Sequence, residues 1–291
     1  MKFWIINLSL CMASVCQADS FTTDGNGIRD TISASANGKS ILYVSEIDGA
    51  VSCYTASGRK LWRNPTQHPA VMFEIEASDI DGDGNDDLLA ASADGNIYHW
   101  GHDGKLRWSF NPGRKVRFSE VAVVKNSDAV QIFAGGNDYI LYELNRHGQL
   151  VSETKFDGII RKLEAGAFLQ KGKQSLFLMA MTGDKWAWSY MAVIDPKSKK
   201  AIKTGKLKSK DLSGFRKLMI NEVSVADVDG DSLDDLLFLA TGRVETAAKD
   251  GPGQFIVLNG QLKPISPIRF SQDRQAALRS CVCGLFTTSA Q

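Results

Sequence analysis

The sequence of 291 residues predicts an all-β protein, a β-propeller built from four-stranded antiparallel blades. Two features predict this fold: a polar turn that recurs at long, similar intervals, and two acidic loops that each join short apolar runs. A repeat period in the forties, built from short strands and polar turns, is typical of propellers, in which each repeat forms one blade. No segment has the sustained 3.6-residue periodicity of a long helix. The repeats predict five to six blades, in a ring that is either closed or incomplete.

The recurring turn follows a pair of short strands, the first of which is apolar. Its five copies are centred on Gly58, Gly104, Gly148, Ser198 and Gly260, which are 44 to 62 residues apart. Unmatched stretches near the two termini leave room for further strands. Five copies therefore predict five blades and allow a sixth.

The two acidic loops, residues 79–89 and 227–237, share one spacing of side-chain oxygens. Carboxylates occupy loop positions 1, 3, 5 and 9, which are Asp79, Asp81, Asp83 and Asp87 in the first loop and Asp227, Asp229, Asp231 and Asp235 in the second. A backbone carbonyl at position 7, from Asn85 or Leu233, would complete the inner shell. Calcium takes six to eight oxygen ligands, and carboxylates this close would repel one another without a cation. The loops are therefore predicted to bind calcium, although a solvated acidic turn without an ion remains the alternative.

These loops differ from an EF-hand, which needs a glutamate at position 12 and a helix on either side. Position 12 is Ala90 or Phe238, and the flanking residues read as short buried strands. The loop between strands resembles the FG-GAP (VCBS) repeat of β-propellers and the calcium loops of the integrin α-chain propeller. That resemblance implies that the ion stiffens a turn. Trp62 and Trp108, each four residues after a turn glycine, also resemble quinoprotein-like blades, in which the tryptophan docks between neighbouring blades.

The N-terminal residues 1–18 have the pattern of a secretory signal peptide: one lysine, a short apolar run and small residues before Ala18. The sequence thus predicts export to the periplasm or outside the cell, with residues 19–291 forming a single propeller domain. Clear repeats cover about residues 28–270, and the tail 271–291 diverges. Without its leader the chain has 33 basic and 33 acidic residues, so bulk charge indicates no particular partner. The three remaining cysteines, Cys53, Cys281 and Cys283, are too few for a disulfide framework.

A lysine-rich stretch near the fourth repeat has the highest local density of positive charge in this otherwise neutral chain. It contains Lys197, Lys199, Lys200, Lys203, Lys206, Lys208 and Lys210. Such a run attracts polyanions, such as acidic glycans, but it also protects an exposed strand edge. Trp186, Trp188 and Tyr190 alternate along one strand and predict either packing between blades or a platform for sugar rings.

These features predict a non-catalytic binding or scaffold module for a glycan or protein partner at a propeller rim, with calcium as its cofactor. Nucleic acid is not expected as a partner, and no segment after the leader reaches transmembrane length. Two alternatives stay open: a carbohydrate-active lyase or hydrolase, and an envelope assembly factor. The enzyme would use glutamates near the starts of repeat strands, Glu74, Glu76, Glu120 and Glu222, which propellers gather around a central funnel. Polar ends of inner strands are the simpler explanation of these four residues.

Overall fold

A computed structural model describes residues 27–66, 69–127, 129–182, 188–208, 217–243 and 250–268. These residues form twenty strands in five antiparallel sheets of four strands each. The all-β propeller fold is therefore confirmed, with five blades, and this part of the chain contains no helix that could span a membrane. The predicted leader 1–18 and the tail 271–291 lie outside the described residues.

Each blade uses four consecutive strands. Blade 1 contains β1 (Ile28–Ala36), β2 (Lys39–Glu46), β3 (Val51–Thr55) and β4 (Lys60–Asn64). Blade 2 contains β5 (Met72–Ser78), β6 (Asp87–Ser92), β7 (Ile97–Trp100) and β8 (Leu106–Phe110). Blade 3 contains β9 (Phe118–Asn126), β10 (Ala129–Gly136), β11 (Ile140–Asn145) and β12 (Leu150–Lys155). Blade 4 contains β13 (Ile159–Gln170), β14 (Lys173–Thr182), β15 (Trp188–Ile194) and β16 (Ala201–Lys208). Blade 5 contains β17 (Lys217–Ala226), β18 (Asp235–Arg243), β19 (Asp250–Leu258) and β20 (Pro264–Ile268).

The first strand of each blade is the innermost, because β1 contacts β5, β5 contacts β9, β9 contacts β13 and β13 contacts β17. Burial is greatest in the second strands. Every residue of β6 is buried, whereas the fourth strand β12 has only exposed and half-buried side chains, and seven of the nine residues of the first strand β1 are also exposed or half-buried.

Apolar packing between blades forms four core clusters, one for each pair of consecutive blades. At the first two junctions a tryptophan completes the contact. The Trp62 ring lies over Gly104, where a Cβ atom would be 2.8 Å from the ring, and its Nε1 donates to the carbonyl of His102 at 2.9 Å. Trp108 lies over Gly148 in the same way and donates to Arg146. The expected docking of these tryptophans between blades is confirmed.

The recurring turn holds one residue with positive φ in each blade. It is a glycine in three blades, Gly58, Gly104 and Gly148, but Lys199 (φ 59°) in blade 4 and Leu262 (φ 58°) in blade 5. In the last two turns the residue with positive φ follows the residue on which the repeat is centred, Ser198 or Gly260, by one and two positions.

Antiparallel pairing places alternate connections at opposite ends of the propeller. Connections from first to second strand and from third to fourth strand share one end, which we call the loop rim. The other connections share the opposite rim. Both acidic loops join a first strand to a second strand and therefore lie on the loop rim.

Candidate functional sites

The first three carboxylates of each acidic loop converge. Ligand oxygens of Asp79, Asp81 and Asp83 all lie within 4.8 Å of one another, as do those of Asp227, Asp229 and Asp231. These residues are half-buried or exposed. The spacing of alternate carboxylates on a tight turn therefore produces the cluster that the sequence predicted, in two blades.

Both loops have the same internal hydrogen bonds, which fix the direction of the first aspartate. Asp79 accepts from the backbone N–H of Gly82 at 2.8 Å and of Gly84 at 3.2 Å, and Asp227 accepts from Gly230 at 2.8 Å and Ser232 at 3.0 Å. Gly84 has a φ of 84°, and Ser232 takes its place with a φ of 69°. The second loop therefore keeps the geometry of the first but places a serine in a conformation that favours glycine.

The aspartate at position 9 lies behind the loop rather than in the cluster. Asp87 is fully buried, and its Oδ2 accepts from the backbone of Ile80 at 3.3 Å and lies 3.0 Å from Nε2 of His99. Its Oδ1 has no hydrogen-bond partner among the described residues. Asp235 occupies the equivalent place and accepts from Val228 at 3.0 Å. Burial raises the pKa of Asp235 from its usual value, and the nearby loop aspartates add to that shift.

The residue at position 8 has a function that the sequence reasoning missed. Asp86 accepts from the backbone N–H of Ser35 at 2.8 Å, and its own N–H donates to the Ser35 carbonyl at 2.8 Å. Asp234 makes the same reciprocal pair with Ala167, at 2.6 and 3.3 Å. The side chain of Asn85 adds a bond from Asn37. Each acidic loop thus fastens its blade to the preceding one.

A groove on the loop rim separates blades 3 and 4. It has a volume of about 670 Å³, and three lysines are among its lining residues: Lys173, Lys197 and Lys199. Val130, Leu144, Val151 and Pro196 supply its apolar lining. The groove thus combines cationic groups with apolar surface, and the carboxylates of Glu143 and Asp195 also line it.

Glu143 is a buried lining residue of this groove and connects several of its neighbours. Its carboxylate accepts hydrogen bonds from Gln131 at 2.7 Å and Ser152 at 2.6 Å, and it pairs with Nζ of Lys199 at 2.7 Å. Burial disfavours the charged form, but these bonds outweigh burial and lower the pKa of Glu143. Glu143 therefore neutralises Lys199. Lys173 and Lys197 have no described carboxylate within 4.0 Å, although Asp195, which also lines the groove, is close enough that, beyond backbone hydrogen bonds, the charge of Lys173 helps to lower its pKa.

The inner strands place one charged side chain at an equivalent position in every blade. Each strand has an apolar residue, then a β-bulge, then the charged residue, and the five are Asp30, Glu74, Glu120, Lys162 and Glu222. Bulges redirect side chains and are common next to functional sites. We call these five residues the axial cluster.

Lys162 occupies the centre of the axial cluster. Its Nζ lies 3.1 Å from Glu222 Oε1, 3.5 Å from Glu74 Oε2 and 3.8 Å from Glu120 Oε2. The side chains of Lys162 and Glu120 are 9% and 7% exposed, whereas those of Glu74 and Glu222 are 23% and 27% exposed. Glu74 and Glu222 therefore contact solvent, as does the half-buried Asp30, whereas the ammonium of Lys162 is buried.

The protonation of the axial cluster is shifted from that of free side chains. Burial raises the pKa of Glu74 to about 7 and that of Glu120 well above its usual value, although Lys162 opposes both shifts. Burial raises the pKa of Glu76, one step further along β5, to about 8. Burial also disfavours the Lys162 ammonium, yet the surrounding glutamates raise its pKa. The sequence identified the glutamates as residues of a central funnel, but it missed Lys162 and Asp30.

The remaining predicted residues are dispersed. Lys203 and Lys206 lie on the outermost strand β16, where lysines protect an edge, and Lys200 precedes that strand. Tyr190 packs against the core cluster between blades 3 and 4. Cys53 is buried with a free thiol. Other members of these sets, namely Lys210, Trp186, Cys281, Cys283 and the side chains of Lys208 and Trp188, lie outside the described residues.

Comparison with known sequences gives one family. The family described as "Lambda-carrageenase beta-propeller domain" matches residues 41–249. Two curated relatives, both named Lambda-carrageenase, come from Pseudoalteromonas carrageenovora and Pseudoalteromonas sp, and each is 32% identical over 136 residues. That stretch is 47% of this chain and 13% of each relative, so the chain matches a small part of those proteins.

Comparison with solved structures shows the fold alone. The Neurospora crassa Pan2 WD40 domain is 12% identical with a TM-score of 0.57, over 79% of this chain and 62% of that one. A Bacteroides caccae protein of unknown function is 17% identical with a TM-score of 0.53, over 81% and 80%. BBS1N in complex with ARL6DN is 14% identical with a TM-score of 0.59, over 83% and 66%.

Proposed function

Because the chain belongs to the lambda-carrageenase β-propeller family, we propose that it binds a sulfated polysaccharide on the loop rim, at a site that itself performs no chemistry. The observation that carries this proposal is the groove between blades 3 and 4, which is lined by three lysines against two carboxylates, Glu143 and Asp195, and in which Lys173 and Lys197 have no described carboxylate within 4.0 Å. Carrageenans are galactans that bear sulfate esters, and lysine is a compact cation suited to such groups. The volume of about 670 Å³ lies within the range of small-ligand sites.

The groove offers each part of such a chain a matching surface. Sulfate groups would pair with Lys173 and Lys197, while Val130 and Val151 would cover the apolar face of a sugar ring. The Lys199–Glu143 pair holds the two blades at a fixed distance and prepares the site. Lysines of β16 extend the positive field along the outer edge of blade 4.

Calcium is proposed as the cofactor that stiffens this rim. The support is the convergence of three aspartate oxygens in each loop within 4.8 Å and the unpartnered buried Oδ1 of Asp87. Asp86 and Asp234 link the loops to neighbouring blades, so an ion in either loop would restrain a blade junction as well as a turn. The same geometry supports the FG-GAP-like reading of the two loops. Large polysaccharides do not cross membranes, so binding would occur after export.

The test measures retention of the full chain on immobilised λ-carrageenan at increasing salt. A Lys173→Gln/Lys197→Gln variant is expected to bind about tenfold more weakly, which corresponds to about 0.7 kcal/mol per exposed ion pair. The matched control is Lys39→Gln/Lys155→Gln, which removes the same charge from exposed sites on blades 1 and 3. Equal binding of the two double variants would contradict the proposed groove, and no retention of the wild type would contradict polysaccharide binding.

A further inference from the structure

The two acidic loops share one carboxylate spacing but have different neighbours on the loop rim. Beside the first loop lies His102, in the turn from β7 to β8, with its Nδ1 at 3.4 Å from Oδ2 of Asp83. We propose that the first loop and His102 form a mixed oxygen–nitrogen site for a first-row transition-metal ion such as manganese. This site prefers manganese to calcium, and the second loop has no such preference. The inference rests on the proposed binding of cations by the loops and adds the choice of metal.

The ring nitrogen of His102 is placed as a ligand rather than as a hydrogen-bond donor. Nδ1 is buried and has no hydrogen-bond partner among the described residues, although the side chain as a whole is 23% exposed. Its 3.4 Å from Asp83 exceeds the usual N–H···O length of about 2.7–3.2 Å. Two ligand atoms that bind one ion at about 2.1 Å, with bond angles of about 90–109°, lie about 3.0–3.4 Å apart. The nitrogen and the oxygen are therefore spaced as neighbouring ligands of one ion.

Asp83 directs one of its two oxygens toward His102. Its Oδ1 accepts from the backbone N–H and the side-chain amide of Asn85, at 2.8 and 3.0 Å. Oδ2 is therefore the oxygen that is left for an ion, and it is the one that faces the imidazole. Asp79 and Asp81 each have an oxygen within 4.8 Å of one from Asp83. The first loop thus offers three carboxylates beside one imidazole nitrogen.

The turn that carries His102 is held in place by blade 1. The carbonyl of His102 accepts from Nε1 of Trp62 at 2.9 Å, and the Trp62 ring covers Gly104 of the same turn. Arg107, a cation near this turn, pairs with Asp103 at 3.3 Å, which offsets its charge. The imidazole is therefore positioned before an ion arrives, and a positioned ligand loses less entropy on binding.

The second loop lacks this nitrogen ligand. β7 and β19 have the same register against the strand that follows the acidic loop, so Gly260 of blade 5 corresponds to His102 of blade 2. A Cβ atom at Gly260 would overlap the carbonyl oxygen of Phe168 in blade 4. No side chain fits at that position, so packing between blades keeps an imidazole away from the second loop.

Ligand type decides which ion each loop prefers. Calcium takes oxygen ligands, whereas imidazole nitrogen suits first-row transition metals. Manganese accepts carboxylates as readily as calcium does and gains from a nitrogen ligand, as cobalt and zinc also do. His102 therefore raises the affinity of the first loop for these ions, and Gly260 leaves the second loop with oxygen ligands alone.

The experiment titrates manganese and calcium into the metal-free full chain by calorimetry. Asp229→Asn isolates the first loop, and Asp81→Asn isolates the second. In the Asp229→Asn background, manganese is expected to bind at least about tenfold more tightly than calcium, and added His102→Gln is expected to remove that difference without changing calcium affinity. His147→Gln is the matched control, because His147 lies in the corresponding turn of blade 3, which has no acidic loop.

A spectroscopic readout on the wild type does not depend on the folding of a variant. Pulsed electron paramagnetic resonance of bound manganese detects the nitrogen nucleus of a coordinated imidazole. The nitrogen signal is expected in the wild type and in Asp229→Asn, and not in Asp81→Asn. Absence of the signal from the wild type, or equal manganese affinity with and without His102→Gln, would overturn the inference.

The outcomes separate this inference from the proposed function. Calcium binding by the first loop without a preference for manganese would overturn the inference and leave the calcium proposal intact. Binding of neither ion by either loop would overturn both. Retention on λ-carrageenan tests the lysine groove independently of the metal, because the groove lies between other blades.

Discussion

Removal of calcium is expected to lower the melting temperature of this protein by about 6–12 °C. Extracellular calcium modules bind with Kd values of about 10⁻⁴–10⁻³ M. At about 10 mM calcium and a Kd of about 1 mM, one site stabilises the folded state by about 1.4 kcal/mol, and the two loops together by about 3 kcal/mol. For a domain of this size, 1 kcal/mol shifts the melting temperature by about 2–4 °C.

The loop geometry also predicts that removal of calcium destabilises the folded protein. Three carboxylates whose oxygens lie within 4.8 Å repel one another by about 1 kcal/mol per pair in water, and a cation removes this repulsion. The assay is thermal unfolding followed by circular dichroism, in calcium and in a chelator. The Asp81→Asn/Asp229→Asn variant keeps the backbone hydrogen bonds of each loop but removes a charge from each cluster. The variant is expected to melt at one temperature under both conditions.

The control for this prediction is Asp103→Asn, which changes an exposed aspartate in a turn that also accepts a backbone N–H bond, from Lys105. It is expected to keep the full calcium response. Equal melting of the wild type with and without chelator would refute the calcium assignment of both loops.

Three further predictions concern stability, measured by denaturant unfolding. Ser232→Gly is expected to stabilise the protein by about 1 kcal/mol and Gly84→Ser to destabilise it by about the same amount, because both positions have a left-handed backbone; effects of equal sign would contradict this. Trp62→Ala is expected to cost about 2 kcal/mol, since it removes a ring between blades 1 and 2, and a loss below about 0.5 kcal/mol would show that the ring is not part of the interface. Glu76 has a folded-state pKa of about 8 against a usual 4.5, so the folded protein binds the extra proton and loses stability as pH rises through that window. Glu76→Gln is therefore expected to raise stability by about 2 kcal/mol at pH 9 and by little at pH 5, and an equal gain at both would contradict the shift.

The geometry of the acidic loops was predictable because all their carboxylates fall within nine consecutive residues. Local spacing brings Asp79, Asp81 and Asp83 together whatever the rest of the chain does. Local spacing does not by itself place Asp87, because its side chain belongs to the next strand and lies beneath the loop against Ile80 and His99; its role as a ligand stays a prediction. The calcium itself stays a prediction.

The axial cluster was harder to predict because its members are far apart in sequence. Glu74, Glu120 and Glu222 stood out as acids near strand starts, but Lys162 looked like any lysine in a strand. Alignment of the five repeats on the apolar residue two positions earlier would have found it, since Ile160 precedes Lys162 as Met72 precedes Glu74. The lysine run predicted a polyanion contact that included Lys197 and Lys199, but nothing in the sequence linked Lys173 to it, because Lys173 lies in a different turn of the same blade.

The sequence by itself determined the repeats, the turns and the acidic loops, because each depends on residues close together in the chain. Only the tertiary structure decided which charges meet. The ring places the same strand position of five blades around one axis, so a lysine and three glutamates from four blades become neighbours. It also opens the groove where blade 3 meets blade 4. The sequence repeats determine which strands and turns form each blade, whereas the arrangement of the blades around an axis sets the distances between side chains of different blades.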